Sequence, residues 1–265
     1  MRGKAPKRSA KYGICALTGK RGKFAKSHII PKALTKPSVS GAPLMESTHG
    51  QCFARRWTSW IDRNLVIAEG EKVLAEIDDA GIKELRRLKL NWSSWGTTKP
   101  EFLPLGSSIP DHSIRTVELE DASILRRFIL SIVWRSAASK LTAMAAVKAT
   151  SANMERLRQI VLGNTPIHRH DFPTCVIQIS TVGEIHNQTP YNDLKPQPGA
   201  LGTPSLAYEI ARVYFDGVIF HVHWSDADLD LNENSLFLGC SNVLHISAVT
   251  YERSFQREKL LANAH

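Results

Sequence analysis

Cys15-Ala16-Leu17-Thr18-Gly19, followed by Ser27-His28-Ile29-Ile30-Pro31-Lys32, is the stretch on which the fold of the N-terminal part turns. It places one histidine between a Cys-to-Gly turn and an apolar pair closed by proline. Residues 12–15 and 23–30 read as two short strands around the turn Thr18-Gly19-Lys20-Arg21-Gly22, a hairpin signal. His28 then stands at a strand end beside a basic surface. A neutral imidazole near pH 7 accepts a proton from water attacking a phosphodiester, so His28 is the leading catalytic candidate.

Charge points the same way. Residues 1–36 carry Arg2, Lys4, Lys7, Arg8, Lys11, Lys20, Arg21, Lys23, Lys26, Lys32 and Lys36 and no acidic residue. The chain's formal net charge is +9, from 34 Lys and Arg against 25 Asp and Glu, so after those 11 the remainder is close to neutral. A segment of this kind binds polyanions through counterion release and steers their approach. Lys20, Arg21, Lys23, Lys26 and Lys32 are the expected nucleic-acid contacts, with Arg55 and Arg56 further on.

The rest of the chain is ordinary in composition. At 43% hydrophobic residues over 265 positions it buries a real core, as one large domain or two small ones. No apolar run reaches the roughly 20 residues of a membrane span, and no signal-peptide core is visible, so a cytoplasmic protein without membrane contact is the default expectation. The four cysteines, Cys15, Cys52, Cys175 and Cys240, form no CxxC pair and are expected as free thiols. The glycine-rich phosphate loops GxxxxGK[ST] and GxGxxG and the GxSxG elbow are absent from the sequence.

Pattern divides the chain into a basic arm with a small unit over 1–95 and a helix-plus-sheet part over 115–265. Residues 35–50 read as a loop. Residues 55–65 read as a short helix, with Trp57, Trp60, Ile61 and Leu65 along one side and both tryptophans in the core. Asp78 and Asp79 read as a helix start, and 95–115 as a connection. Asp121 is the expected N-cap of the clearest helix, and a second helix spans 154–162 up to Gly163. Strands are expected at 175–182, 210–215, 218–224 and 243–249, with Asp216-Gly217 as a hairpin turn. Residues 186–206 read as a long loop that holds His186 and Asn187. The expected fold class is α+β, with a small ββα-like unit and a helix against an antiparallel sheet.

The motif around His28 resembles the start of an HNH (ββα-metal) nuclease finger over about 50 residues. It resembles more closely a bacterial protein set with an N-terminal Ser-His-Ile-Ile-Pro-Lys and a Trp-Arg helix, here Trp134-Arg135. The HNH resemblance implies a His that activates water and a metal, held on a following helix, that steadies the cleaved phosphate. This chain departs from the finger pattern. Thr18 stands where a second knuckle cysteine is expected, Arg55 stands three residues after Cys52, and Ser27 precedes His28 where many such enzymes place a metal-binding Asp. A structural zinc is therefore not expected. A magnesium- or manganese-class ion would draw on Asp62 and Asn64, with His49 as a further ligand; as a surface residue, Asp62 would pair with Arg63 or Arg55.

The expected function is metal-dependent hydrolysis of DNA or RNA phosphodiesters with His28 as general base, and cutting both strands would favour a homodimer. One alternative is nucleic-acid binding without catalysis. Another places the working part in the C-terminal sheet. There His221 and His223 alternate along a strand before Asp226, Asp228 and Asp230, as a metal site, a ligand pocket or an outward polar face. His168-Arg169-His170-Asp171 reads as an exposed loop.

Overall fold

The computed structural model describes residues 11–35, 37, 40–48, 53–107, 109, 111–196, 207–224 and 229–262. In chain order the strands of the first part are β1 (Tyr12–Ile14), β2 (Arg21–Lys23), β3 (Ser27–His28), β4 (Leu44–Ser47), β5 (Ala54–Arg56) and β6 (Ile61–Asp62). Helix α1 (Ala68–Arg87) follows, then β7 (Leu103–Pro104), β8 (His112–Glu118), α2 (Ala122–Ala138) and α3 (Ser151–Leu162). The C-terminal part holds β9 (Thr174–Ile179), β10 (Asn187–Gln188), β11 (Tyr191–Pro196), β12 (Ala207–Phe215), β13 (Val218–His223), β14 (Val243–Val249) and α4 (Phe255–Ala262). The fold is α+β. Among the described residues no helix is long and apolar enough to cross a membrane.

A seven-stranded sheet in the order β11-β12-β13-β9-β14-β8-β7 forms one layer. The Asp216-Gly217 turn joins β12 to β13 with both residues at positive φ, 47° and 82°, as a two-residue hairpin of this hand requires. The expected all-antiparallel sheet over 173–250 is corrected twice. Strands β7 and β8 extend it from before α2, and β14 lies parallel to β9 because a long connection rather than a hairpin brings them together. The expected loop at 186–206 likewise holds β10 and β11, and residues 197–206 lie outside the described residues.

Helix α2 begins as expected. Asp121 Oδ1 accepts the Ser123 N–H at 2.8 Å and caps it. Its apolar residues leave no polar stripe: Leu125, Phe128 to Leu130 and Ile132 to Trp134 are all buried. They join Val176, Ala211, Val213, Phe215, Phe220 and Val222 of the sheet and Leu74, Ile77 and Leu85 of α1 in one cluster, which also takes in Cys15, Ile29 and Ile30. The core is therefore continuous between 1–95 and 115–265.

Helix α1 starts ten residues before the expected Asp78. Its first turn carries Glu69 and Glu71 and its last Arg86 and Arg87, the charge order the helix dipole favours. Gly70 and Gly81 weaken the local signal, yet the structure needs them. A Cβ at Gly81 would run into the ring of Phe128, so the glycine allows α1 and α2 to touch. Gly81→Ala gains up to about 1 kcal/mol in helix propensity and forces overpacking that costs about 1–3 kcal/mol. The expected result is a net loss in chemical denaturation. An unchanged midpoint would mean that Phe128 does not sit on Gly81.

Two expectations for the first part are corrected. Residues 23–30 are not one strand. After β2 pairs with β1, the Phe24 N–H turns to Lys11 O and the Ala25 N–H to Val66 O, and β3 then pairs with β6. Residues 55–65 are not a helix. They supply β5, which pairs with β4, and β6, which pairs with β3. The bend between them puts Trp60 in the core at 7% exposure and Trp57 in solvent at 77%, so the Trp57–Trp60 stripe that suggested a helix does not exist.

Candidate functional site

The site is built where β3, β6 and the end of α2 meet. Upstream, Cys15 closes a turn: Gly19 N–H bonds Cys15 O at 2.9 Å, and Thr18 N–H points at Cys15 Sγ at 3.4 Å. Cys15 is buried against Gly70 of α1, and Cys15, Cys175 and Cys240 are free thiols, while Cys52 lies outside the described residues. Lys20 is bound to Glu69 at 2.7 Å. Arg21, Lys23, Lys26 and Lys32 are exposed on the same unit, while residues 1–10 and Lys36 lie outside the described residues.

His28 is half-buried in β3, and an arginine from the far side of the chain fixes its backbone. Arg135 on α2 is 1% exposed and spends all five N–H donors. Nη1 donates to His28 O and Asp78 Oδ2, each at 3.0 Å, and Nη2 to Asp78 Oδ1 at 2.6 Å and Ser131 Oγ at 3.0 Å. Nε donates to Ser131 O at 3.2 Å. Burial, and then the charges of Lys32 and Arg135, hold the imidazole below its ordinary pKa, with Asp78 opposing. His28 is therefore a neutral proton acceptor at pH 7. Glu71, beside Ser27, is pushed up, mainly by burial.

Asp62 is neither on a helix nor at the surface. It is buried in β6, where Oδ1 accepts the Asn64 N–H at 2.8 Å and Oδ2 accepts the Ser139 hydroxyl at 2.7 Å. It ties the strand to the residue after α2 and pairs with neither Arg63 nor Arg55. Asn64 is exposed, and His49 lies outside the described residues. Among the described residues no three His, Cys, Asp or Glu side chains converge as metal ligands.

A cavity of about 490 Å³ opens beside this junction, lined among others by Glu46, Arg56, Trp57, Ser59, Ile61 and Arg63. Ile61 is the ladder partner of His28, so the two side chains leave the ribbon on the same face, with Cβ atoms about 5 Å apart. His28 thus lies across the ladder from one wall residue of the cavity. Arg55 and Arg56 are both exposed on β5, and Arg56 lines the cavity.

Sequence reading missed Glu46, which sits within the residues read as a loop. On β4 it is 2% exposed, and neither carboxylate oxygen has a hydrogen-bond partner. Arg56 Nε lies 3.3 Å from Oε2 without the alignment of a hydrogen bond. Burial outweighs that charge and pushes Glu46 up to about 7. A carboxyl that holds its proton more tightly when folded contributes stability below its unfolded pKa, near 4.5, and loses it as pH rises through 7. Glu46→Gln is therefore expected to match the wild type at pH 5 and to exceed it at pH 8 by about 2–3 kcal/mol, read from denaturation midpoints. Equal stabilities at pH 8 would mean that the carboxylate is solvated.

No family model, no curated protein and no solved structure matches the chain.

The C-terminal histidines alternate on β13 as expected, but they are buried rather than on an outward polar face. The reason is that β12 and β9 flank β13 and both faces of the sheet are covered. His223 Nδ1 lies 3.0 Å from Pro173 O, and neither ring nitrogen of His221 has a partner. Burial lowers both pKa values, and Arg212 and Lys195 lower that of His221 further. Asp226 and Asp228 lie outside the described residues, and Asp230 is exposed. Of the 168–171 stretch, Asp171 is spent on Arg156 at 2.5 Å. His186 stacks on Tyr214 at 4.9 Å between ring centres.

Proposed function

We propose that this chain acts on the phosphodiester backbone of DNA or RNA, with His28 as the base that takes a proton from the attacking water. The observation that carries the reading is a half-buried His28 whose pKa burial holds down, on the most basic part of the chain, with Ile61 of the arginine-lined cavity as its ladder partner. Arg55, Arg56 and Lys32 would hold phosphate oxygens, Arg56 and Arg55 as planar forks. Trp57, exposed beside them, offers a stacking face for an unpaired base. A proton arriving at His28 meets Asp78, whose charge favours the imidazolium against Lys32 and Arg135. A magnesium- or manganese-class ion, where bound, would draw on Asp62 and Asn64 and would steady the charge on the cleaved phosphate.

Exposed Arg55, Arg56, Lys32 and Trp57 support a second reading equally, nucleic-acid binding without cleavage. One assay separates them. Plasmid DNA and structured RNA are incubated with wild type and His28→Ala, with magnesium, manganese or chelator. Cleavage by wild type that is lost in His28→Ala supports the first reading. Salt-sensitive binding with no cleavage under any condition leaves the second.

A further inference from the structure

The cavity next to the β3–β6 ribbon has in its wall a buried carboxylate whose neighbouring charge, Arg56 Nε at 3.3 Å, is not aligned to hydrogen-bond it. Glu46 is almost fully buried, lines the cavity, and has two oxygens without hydrogen-bond partners. Ser59 Oγ, lining the same space, is also buried and unpartnered. Buried polar atoms in folded proteins are nearly always satisfied, and an unsatisfied carboxylate is among the costliest exceptions. Two such groups in the wall of one cavity point to a ligand that donates hydrogen bonds.

The other walls narrow the ligand's class. Trp57 supplies an exposed aromatic face, and Arg56 and Arg63 supply positive charge at the edge. A planar, stacking, donor-bearing group attached to an anion fits all three. Ligand pockets commonly span about 300–1,000 Å³, and this one has room for a nucleobase and part of its sugar.

We propose that the cavity takes an unpaired guanine of a single-stranded nucleic acid, with Glu46 accepting from the adjacent N–H groups of its Watson–Crick edge. This rests on the nucleic-acid reading above and names the base recognised. Guanine alone among the common bases presents two neighbouring donors on that edge, N1–H and the N2 amino group, which match two carboxylate oxygens side by side. Adenine and cytosine each set a ring-nitrogen acceptor beside their amino group, where it repels a carboxylate. Uracil and thymine place their single N–H between two carbonyls. Trp57 stacks on the base, and Arg56 and Arg63 take the flanking phosphate. Ionised Glu46 offers two acceptors and protonated Glu46 only one, so the preference strengthens as pH rises from 6 to 8.

The test uses the full chain and short thymidine oligomers carrying one central guanine, adenine or cytosine, with affinity read by fluorescence anisotropy. Wild type is expected to bind the guanine oligomer about tenfold tighter than the adenine one at pH 8, the size of one bidentate base contact. At pH 6 the gap narrows. Glu46→Gln brings the guanine oligomer to the affinity of the adenine one, while Trp57→Ala, a surface change that leaves the fold alone, weakens every oligomer. Salt-sensitive binding with no base preference, or a guanine preference that survives in Glu46→Gln, overturns the pocket and leaves the nucleic-acid reading standing. If no oligomer binds, that reading falls, and guanosine alone then decides the pocket. Saturable quenching of tryptophan fluorescence by guanosine, lost in Glu46→Gln, supports it; no quenching overturns it.

Discussion

Arg135→Ala is expected to lower the stability of the protein by about 3 kcal/mol or more, the largest loss of any single substitution considered. Arg135 is fully buried and every donor of its guanidinium is used, so truncation leaves several acceptors without partners at once. The costliest is Asp78, whose carboxylate is mostly buried and whose ionic partner is Arg135. Removing one member of a buried pair leaves an uncompensated charge and costs about 3–5 kcal/mol, and the partial exposure of Asp78 places this case at the lower end. Removing both charges is a different matter. Arg135→Met combined with Asp78→Asn is expected to recover much of the loss, because the pair's desolvation cost disappears with it. Equilibrium denaturation of Arg135→Met, Asp78→Asn and the double variant closes the cycle. A double variant no more stable than Arg135→Met would mean that the bonds to His28 O and Ser131, rather than the Asp78 pair, carry the effect.

Arg135 also marks where sequence reading stops. Its neighbour Trp134 sits in an apolar helical pattern, and that pattern located α2 and its Asp121 cap correctly. The Asp216-Gly217 turn and the strand Val243–Val249 were legible for the same reason: their signals are local, in turn conformation and in alternation. Residues 54–62 were not legible, because what makes them strands is the pairing of β5 with β4 and β6 with β3, partners 8 to 35 residues away. A tryptophan at helical spacing looks the same whether it faces core or water, and Trp57 turned to water. The candidate site divides in the same way. His28 was visible from its motif. Asp62 was visible as a carboxylate, but its hold on Ser139, 77 residues on, was not. Glu46 gave no local signal at all, since its isolation arises only when β4, β5 and the residues after α2 close around it.

His28→Ala is expected to reduce cleavage by about 10²–10⁴-fold, the range in which a positioned general base contributes. The direction of its pKa shift makes the claim more specific than a loss of activity. A base works in its deprotonated form, so kcat/KM should fall on the acid side as His28 becomes protonated. Burial and the neighbouring charges of Lys32 and Arg135 lower that pKa, so the acid limb should lie below pH 6.5, the ordinary histidine value. Lys32 is the lever for testing the assignment. Lys32→Gln removes one of the charges that oppose protonation, so the acid limb should move toward higher pH. If Lys32 also holds phosphate, KM rises in the same variant, while the shift in the kcat limb reports on His28 alone. Asp78 acts with the opposite sign. Asp78→Asn removes the charge that favours the imidazolium, and the limb should move lower, provided that the stability loss leaves the protein folded at the assay temperature. An acid limb above pH 6.5 in the wild type, or one that ignores Lys32→Gln, would mean that the titrating group is not His28. Glu46, which titrates near 7, would then be the next residue to replace.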